Sequence, residues 1–387
     1  MRQVEIRVLL VGPTSPPYAG VETATESLLI GLASTPGVVW RHLNTRKPVP
    51  NARRGTLNVM NLAWALRHIV RMMWACLWFS PDIVHMPVAH NRLGFMRDVC
   101  LVSCARLTGA RVLLQAHNDS YDKFVATQPR LLRSVIIAVF RRAAAIAVQG
   151  ESLRSQFQNL GLGARVTILS NHLEVERFRR ARMRQKANGG FRVLLLGRVS
   201  VAKGALDLAL AAVQASHRLQ IPIELVFTGE TVSQDASVAH LAHRSADVPV
   251  LIERALQSAP RGAVRVSYVG VLDREATLRE LSSADVLALP SYSEALPYAV
   301  LEGAAAGLPI LASEVGMIAE LRSRGLRGEF VPPGDVQAIA SALVSLTDPK
   351  RRVADGLSNT TVVEREFDQA LLPSRLGTIY RGIMEGR

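Results

Sequence analysis

The chain has 387 residues, 49% of them hydrophobic, so it can bury more than one core and two domains are expected. Its formal net charge of +14 resides in the first half: residues 1–190 contain 26 Lys and Arg against 10 Asp and Glu, and the remainder contains 20 against 22. These basic residues are mostly arginines among aliphatic side chains, without the interleaved aromatics of a base-stacking platform, which argues against nucleic acid and favours an anionic membrane surface or a phosphorylated partner.

The cysteines and the N-terminal residues indicate in which cellular compartment the protein is located. Cys76, Cys100 and Cys104 cannot all pair and lack the spacing of a metal site, so we interpret them as core thiols in a reducing environment. Residues 1–5 lead directly into a predicted strand, and no signal peptide is visible. The sequence therefore predicts a cytoplasmic protein, and the charge of its first half predicts peripheral binding to the inner face of the plasma membrane.

The first half alternates strands and helices. A buried strand is predicted at residues 6–11, followed by a loop ending at Gly20 and a helix at about residues 21–33. Such a loop is a ligand site in open α/β sheets, although Gly12 and Gly20 lack the close spacing of a dinucleotide fingerprint. Residues 46–58 are predicted to form an exposed basic loop. The further strands, whose alternation with helices predicts a parallel, doubly wound sheet, are expected at residues 38–43, 82–85, 112–116, 145–148 and 166–169.

Two histidines are predicted to end strands. His117 follows the strand at residues 112–116, and strand carboxyl ends face the ligand crevice of such sheets, so His117 is a candidate site residue. His85 also ends a predicted strand and is a weaker candidate.

Two helices of the first half combine apolar and basic residues. Residues 62–79 form the most hydrophobic window, but Arg67 and Arg71 lie in its middle, and each would cost about 2.5–3.5 kcal/mol at the centre of a bilayer, so a transmembrane span is rejected. The amphipathic helix that remains either packs on the sheet with its arginine side outward or lies partly buried in a bilayer interface. A second basic helix is predicted at residues 129–142.

The second half restarts the pattern after a predicted linker at residues 178–190. A strand at residues 193–196 leads into a loop from Gly197 to Gly204 that carries Arg198 and Lys203. Arg by a two-pronged fork and Lys as a point charge could clamp a diphosphate, although the order of residues is not that of a P-loop. Two later strands are predicted to end at Gly229 and at Gly270.

A strand at residues 286–289, a polar loop and a helix from Pro297 form the most informative stretch. Glu294 lies in the loop and Glu302 eight positions later in the helix, so both carboxylates can reach one cavity beside the helix N-terminus. Such an N-terminus suits a phosphate, because its backbone N–H groups are unpaired and its dipole end is positive. The alternative is two solvated surface carboxylates.

These residues together resemble the retaining glycosyltransferases of the GT-B fold, specifically glycosyltransferase family four. The resemblance is densest from Val193 to Asp335, where the Glu294/Glu302 pair follows the Arg198 and Lys203 loop. It implies an α/β protein of two Rossmann-like, doubly wound parallel-sheet domains facing a cleft. Residues 1–178 would form the acceptor domain, with a C-terminal helix at about residues 365–387 packing back on it, and residues 191–364 the nucleotide-sugar domain.

The resemblance also implies roles for individual residues. Arg198 and Lys203 would neutralise the departing diphosphate of a UDP- or GDP-linked sugar, Glu302 would bind the ribose, and Glu294 and His117 would lie at the donor sugar or acceptor. Cationic side chains would take the place of a metal, and no metal-ligand cluster or other cofactor is predicted. The remaining donor contacts implied by the resemblance are made by Gly20, Gly229, Gly270, Ala295, Leu296, Pro297 and Tyr298.

The sequence departs from the family pattern at three places that concern specificity for the donor and the acceptor. The first loop ends in Gly20-Val21 rather than in two glycines, Asn171-His172 replaces Asn-Gly, and the segment after Gly229 is longer than usual. The resulting expectation is a retaining glycosyltransferase that uses a lipid-linked or saccharide acceptor in bacterial envelope or exopolysaccharide synthesis. A binding or scaffold protein that kept the fold and lost turnover, supported by Val21, and a sugar-nucleotide epimerase on the same fold are the alternatives.

Overall fold

The computed structural model describes residues 5–16, 18–46, 59–182, 190–232 and 247–386. The chain forms two compact units, one of Met1–His172 with Gln369–Arg387 and one of Leu173–Asp368. Each is built on a six-stranded, wholly parallel sheet with helices between its strands, which confirms the predicted doubly wound α/β class. The predicted basic loop lies, apart from Arg46, outside the described residues.

The first sheet has the strand order β2-β1-β3-β4-β5-β6. Its strands are short aliphatic runs that are mostly buried on both faces, as parallel strands covered by helices are. They are β1 (Ile6–Gly12), β2 (Val38–Asn44), β3 (Ile83–Pro87), β4 (Arg111–Gln115), β5 (Ala145–Val148) and β6 (Val166–Ile168). The helices of this unit are α1 (Gly20–Ala33), α2 (Val59–Phe79), α3 (Arg92–Leu107), α4 (Tyr121–Ala126), α5 (Arg130–Arg142), α6 (Ser155–Gln158) and, at the end of the chain, α15 (Leu372–Glu385).

The helices of the first unit form two groups. Helix α1 packs on α15, whereas α2 packs on α3 and α3 on α5. The contact of α1 with α15 is close at Gly31, where a Cβ would lie 2.7 Å from Cγ of Leu372. At the other end of α15, Arg111 Nη1 donates a hydrogen bond to the carbonyl oxygen of Ile383 at 2.6 Å. The C-terminal helix is thus part of the first unit's core.

The second sheet has the order β12-β11-β10-β7-β8-β9. Its strands are β7 (Phe191–Leu196), β8 (Ile223–Thr228), β9 (Val264–Gly270), β10 (Val286–Leu289), β11 (Ile310–Ser313) and β12 (Gly328–Val331). The helices of this unit are α7 (Val175–Arg182), α8 (Ala205–Ser216), α9 (Val248–Leu256), α10 (Arg274–Ser283), α11 (Tyr298–Ala305), α12 (Ile318–Ser323), α13 (Val336–Ser345) and α14 (Pro349–Phe367).

The predicted linker differs from the structure. Residues 178–182 belong to helix α7, which packs on α10, α11 and α14 within the second unit, and residues 183–189 lie outside the described residues. The polar, arginine-rich composition that indicated a linker is that of a helix whose Glu176 forms ion pairs with Arg179 and Arg180. The second unit accordingly begins at Leu173.

Each sheet has one place where its strand order reverses. In the second sheet this is between β7 and β10, and in the first between β1 and β3. Loops that leave two such strands diverge to opposite faces of the sheet, which opens a crevice at their carboxyl ends. No helix among the described residues is both long enough and apolar enough to cross a membrane.

Candidate functional site

The two loops at the reversal point of the second sheet are joined by side chains. Lys203, in the loop after β7, forms an ion pair with Oε1 of Glu294, in the loop after β10. The same carboxylate oxygen accepts a hydrogen bond from Ser291 Oγ at 2.9 Å. Backbone pairing adds to this, because the N–H of Tyr292 donates to the carbonyl of Ala202 at 2.9 Å. The structure therefore brings Lys203 and Glu294 together at a ligand-binding position of the fold.

Glycines allow the loop around Glu294 to lie where it does. Gly204 has φ of +72°, and a Cβ there would lie 2.1 Å from the carbonyl oxygen of Pro290. Gly316 has φ of +55°, and a Cβ there would lie 1.8 Å from the carbonyl oxygen of Glu294. Since neither position accepts a side chain, the loop passes between two glycines, and its backbone is fixed on both sides.

Three further glycines meet beside the Arg198 loop. A Cβ at Gly229 would lie 2.3 Å from the carbonyl oxygen of Gly197, and the N–H of Gly229 donates to the carbonyl of Gly270 at 2.6 Å. The predicted glycines at the ends of β7, β8 and β9 are thus neighbours. Arg198, between them and Lys203, has an exposed side chain. Backbone without side chains next to an exposed guanidinium can accept a flat or charged ligand closely.

The charges of this region suit an anion with two negative groups. The Lys203 side chain is 20% exposed and its partner Glu294 10%, so their attraction is only partly screened by water. A diphosphate would add a negative partner for Lys203 and another for Arg198. Helix α11 begins directly after this loop, with Pro297 as its N-cap, and its first N–H groups point back toward the loop.

Glu302 lies inside α11 and is half-buried. Burial raises the pKa of its carboxyl to about 7, although the positive charge of Arg274 acts in the opposite direction. A carboxyl that is desolvated in this way gains from hydroxyl donors of a ligand, which would replace the lost water. The position fits a carboxylate that hydrogen-bonds sugar hydroxyls better than it fits a solvated surface residue.

The loop after β10 is supported by a side-chain contact that the sequence did not predict. The hydroxyl of Tyr292 donates to Oδ2 of Asp207 at 2.8 Å, and Asp207 is 1% exposed in the first turn of α8. A Cβ at Gly334 would lie 2.7 Å from the same hydroxyl. The available signal was Asp207 itself, a carboxylate among apolar residues in the first turn of α8, which requires a buried partner.

In the first unit, His117 lies two residues beyond the end of β4 and is half-buried. Its Nδ1 lies 3.2 Å from Nε2 of Gln149, and the same amide donates to Oδ1 of Asn171 at 3.0 Å. Desolvation lowers the pKa of His117 to about 4, so the ring is neutral at pH 7. Because Nδ1 accepts a hydrogen bond from an amide, the proton of the neutral ring belongs on Nε2. His117 therefore offers a neutral N–H donor at the carboxyl end of the sheet.

His85 is not a site residue. It lies within β3 rather than at its end and is completely buried. Its Nδ1 is 3.0 Å from the hydroxyl of Tyr380, and its Nε2 is 3.2 Å from Oε1 of Gln115. Burial lowers its pKa to about 3, which keeps the ring neutral. The strand extends two residues beyond its predicted end, which makes His85 a satisfied core histidine.

The Gly20 loop is more open than its sequence suggested. Gly20 is the first residue of α1, and a Cβ there would meet no atom of the described chain within 4 Å. The steric demand lies instead at Gly12, where a Cβ would lie 2.7 Å from Oγ1 of Thr25. The loop is held by Glu26, whose Oε1 accepts from the N–H of Ser15 at 2.9 Å.

Within the described ranges, no group of three or more His, Cys, Asp or Glu residues could hold a metal ion.

Comparison with known proteins shows which proteins the chain is similar to. Residues 190–348 match the family model described as Glycosyl transferases group 1. The glycogen synthase of Mycobacterium tuberculosis (strain ATCC 25618 / H37Rv) is 27% identical over 316 residues, which cover 80% of this chain and 70% of that protein. The family match includes both loops joined by the Lys203–Glu294 pair and the whole of α11.

Two solved structures show the fold. Sucrose-phosphate synthase from Thermosynechococcus elongatus aligns with a TM-score of 0.73 at 19% identity, over 99% of this chain and 100% of that one. Anabaena HepE in complex with UDP aligns with a TM-score of 0.67 at 13% identity, over 97% of this chain and 100% of that one. These likenesses confirm the predicted two-domain α/β fold of the GT-B type.

Proposed function

We propose that this chain of the GT-B fold is a glycosyltransferase of family four, and that it moves a sugar, with retention at the anomeric carbon, from a UDP- or GDP-linked donor to a lipid-linked or saccharide acceptor. The acceptor belongs to bacterial envelope or exopolysaccharide synthesis, on the cytoplasmic side of the membrane. The observation that carries the proposal is the Lys203–Glu294 ion pair, which joins the two loops at the reversal point of the second sheet.

In this proposal the pair prepares the site for a leaving group. Before the donor binds, Glu294 keeps the Lys203 ammonium in place and partly neutralised. The diphosphate of the donor then binds between Lys203 and Arg198, and its negative charge grows as the bond to the sugar breaks. The two cations stabilise that developing charge more than they stabilise the bound donor, which is what accelerates the step.

The other contacts of the donor follow from their positions. The half-buried carboxyl of Glu302 accepts hydrogen bonds from ribose hydroxyls, and Glu294 and the backbone from Ala295 to Tyr298 contact the sugar and the phosphates. Gly270, where a Cβ would meet no described atom within 4 Å, leaves room for the nucleotide at the end of β9, and Gly229 lets the end of β8 lie against the backbone of Gly197. His117 donates its Nε2–H to a hydroxyl of the sugar or of the acceptor. No metal is required, because Arg198 and Lys203 supply the positive charge.

Retention is proposed to proceed on one face of the sugar. The leaving diphosphate departs and the acceptor hydroxyl attacks from the same side, while a phosphate oxygen of the leaving group takes the acceptor proton. This route needs no carboxylate nucleophile beneath the anomeric carbon. A trapped glycosyl-enzyme would contradict it.

A donor panel tests the proposed function. Purified protein is incubated with UDP- and GDP-linked hexoses, with and without lipid-linked acceptors and in the presence of a chelator, and nucleotide release and sugar products are measured. The proposal expects a preferred donor whose turnover persists in chelator and yields a glycoside of unchanged anomeric configuration. Consumption of donor to an isomeric nucleotide-sugar without acceptor would identify an epimerase, and nucleotide binding without turnover would identify a binding protein.

Thermal shifts with the free nucleotides supply an independent measurement. UDP, GDP and ADP are added to the wild-type protein and to Lys203→Ala. A nucleotide present at about 100 times its dissociation constant adds roughly 2.7 kcal/mol to the free energy of unfolding. We expect one of UDP and GDP to stabilise the wild-type protein and to do so much less in the variant. Equal shifts in both proteins would contradict the proposed clamp.

A further inference from the structure

Helix α2 presents an apolar ridge to solvent. Six large hydrophobic side chains follow one another at helical spacing, and each is between 55% and 67% exposed. They are Leu62, Leu66, Val70, Trp74, Leu77 and Trp78, here called the α2 ridge. Trp74 and Trp78 stack on each other, with ring centroids 5.5 Å apart and planes 6° from parallel. A continuous exposed apolar surface of this kind marks an interaction site, whereas single exposed hydrophobic residues do not.

The opposite side of α2 accounts for its attachment to the unit. His68, Met72, Cys76 and Phe79 are buried there. The arginines lie at the flanks, since Arg67 is over the ring of Trp64 and Arg71 donates to the carbonyl of Asn44 at 3.2 Å. The helix therefore has apolar residues on both its faces. The helix packs on the unit by its buried side, as one of the two sequence-based interpretations expected, and it exposes apolar residues as well as Arg67.

The surroundings of the ridge are positively charged. Helices α2, α3 and α5 pack side by side, and their only acidic residue is Asp98, which is fully buried and paired with Arg97. The exposed basic side chains of these three helices are Arg67, Arg92, Arg106, Arg130, Arg133, Arg141 and Arg142. This helical layer thus combines an exposed apolar ridge with exposed cations and has no exposed acid.

We propose that the α2 ridge inserts into the interfacial region of an anionic lipid bilayer, with the arginines of α2, α3 and α5 contacting lipid phosphates around it. Stacked tryptophans suit the headgroup boundary, where one side of the ring is apolar and the other wet. A helix lying in the membrane plane with an apolar face down and cations beside it is the usual form of such an anchor. A second copy of the chain is disfavoured as occupant, because pairing two such layers would bring their like charges together.

The proposal goes beyond the transfer reaction, since it requires neither donor nor acceptor. It separates two contributions to membrane binding that respond differently to salt. The contacts of the arginines are screened as the Debye length falls from about 10 Å at 0.1 M salt to about 3 Å at 1 M. Burial of the ridge is not screened. A fraction of the binding should therefore survive high salt, and that fraction should depend on the ridge.

Vesicle sedimentation with the full-length protein tests this. The vesicles contain phosphatidylglycerol with phosphatidylcholine, or phosphatidylcholine alone, at about 0.1 M and about 1 M salt. The ridge variant is Leu66→Gln with Val70→Gln and Trp74→Gln. The matched control is Val353→Gln with Leu357→Gln, which replaces exposed apolar residues at the same spacing on α14 of the second unit. We expect the ridge variant to bind anionic vesicles roughly tenfold more weakly or worse at both salt concentrations and the control to bind as wild type.

Tryptophan fluorescence locates the inserted helix. Brominated lipids should quench the wild-type emission, and Trp74→Tyr with Trp78→Tyr should remove most of that quenching while the protein still binds. Binding by the ridge variant that equals wild type, or wild-type protein that ignores anionic vesicles at low salt, would overturn the proposal. A wild-type dimer in sedimentation velocity that the ridge variant converts to monomer, without vesicle binding by either protein, would assign the ridge to self-association instead.

Failure of the transfer reaction would be seen separately. Nucleotide thermal shifts do not depend on α2, so the ridge variant should retain those of the wild-type protein. A protein that inserts into vesicles but transfers no sugar would leave this inference standing and contradict the proposed function. A protein that transfers sugar to a short soluble acceptor but does not bind vesicles would support the proposed function and contradict this inference.

Discussion

The two sheets carry different chemistry at their carboxyl ends. At the second sheet, Lys203 and Glu294 form an ion pair in the reversal loops, and the exposed Arg198 belongs to the same loop as Lys203. At the first sheet, His117 and the amides of Gln149 and Asn171 form a neutral network. The first unit nevertheless holds most of the net positive charge of the chain, and its helices α2, α3 and α5 expose seven arginines. The charge of a domain and the charge of its site are therefore separate properties.

The difference suits two parts of a transfer reaction. A leaving diphosphate needs cations, because negative charge develops on it as the bond to the sugar breaks. A sugar or acceptor hydroxyl needs neutral donors and acceptors, because it carries no charge until the proton moves. Each site can be weakened without touching the other, and the predictions below use this independence.

Removing a cation from the second sheet should have the largest effect. We expect Lys203→Ala and Arg198→Ala each to lower kcat on the order of 100-fold or more, because each removes a charge partner of the leaving group. Initial rates of nucleotide release measure this, with Lys350→Ala on the exposed surface of α14 as the matched control. Near-wild-type rates in both site variants would contradict the assignment.

Removing the carboxylates should separate donor binding from transfer. Glu294→Ala is expected to lower kcat roughly tenfold or more with a smaller change in KM, since Glu294 holds Lys203 in place and lies near the sugar. Glu302→Ala is expected to raise KM for the donor, because its ribose contacts are made in ground and transition states alike. Equal and negligible effects of the two changes would return both residues to ordinary surface carboxylates.

The neutral network of the first sheet can be altered by replacing the side-chain amide of Gln149 with a carboxylate of the same size. In Gln149→Glu a carboxylate faces Nδ1 of His117, so the proton of the ring is drawn to Nδ1 and Nε2 loses its N–H in the neutral form. Gln149 acts as a positioning residue, so we expect Gln149→Glu to lower kcat roughly tenfold and to shift the pH profile of kcat.

Nitrogen chemical shifts of His117 report the tautomer directly and do not depend on turnover. Gln158→Glu, at an exposed position of α6, is the control. A wild-type ring that carries its proton on Nδ1, or one left unaltered in Gln149→Glu, would contradict the role given to Gln149.

Local signals in the sequence predicted one of these sites better than the other. Gly204 and Lys203 form one loop, and Glu294 follows its strand by five residues, so strand ends and charge were enough to place them. The His117–Gln149–Asn171 network joins three loops, and an uncharged glutamine gives no sign of its partner. The Tyr292–Asp207 contact is likewise set by tertiary packing. The sequence left both interpretations of α2 open, because hydrophobic periodicity does not distinguish a buried face from an uncovered one.

Stability against pH tests the burial of Glu302. Because its pKa is raised to about 7 in the folded protein from an ordinary 4.5, the folded state binds the proton more tightly than the unfolded state. Wild-type stability is therefore lost as the pH rises from about 4.5 toward about 7. Glu302→Gln cannot ionise, so its Tm relative to wild type should rise across that window and level off above it, by roughly 2–4 °C per kcal/mol. Glu364→Gln, at an exposed carboxyl, should show no such trend.

The smallest effect is expected at Asp119, the carboxylate two residues beyond His117 in the first unit. If retention occurs on one face of the sugar, no carboxylate attacks the anomeric carbon, and Asp119→Asn should keep most of the wild-type kcat. A nucleophile, in contrast, would be indispensable, because an amide cannot form the glycosyl ester. Rates with the preferred donor, together with intact-protein mass spectrometry after incubation with a fluorinated donor, separate the two routes. A loss of about 1,000-fold in Asp119→Asn, or a mass increase of one sugar in wild type that the variant lacks, would give the first sheet a charged role in the reaction and abolish the contrast between the two sites.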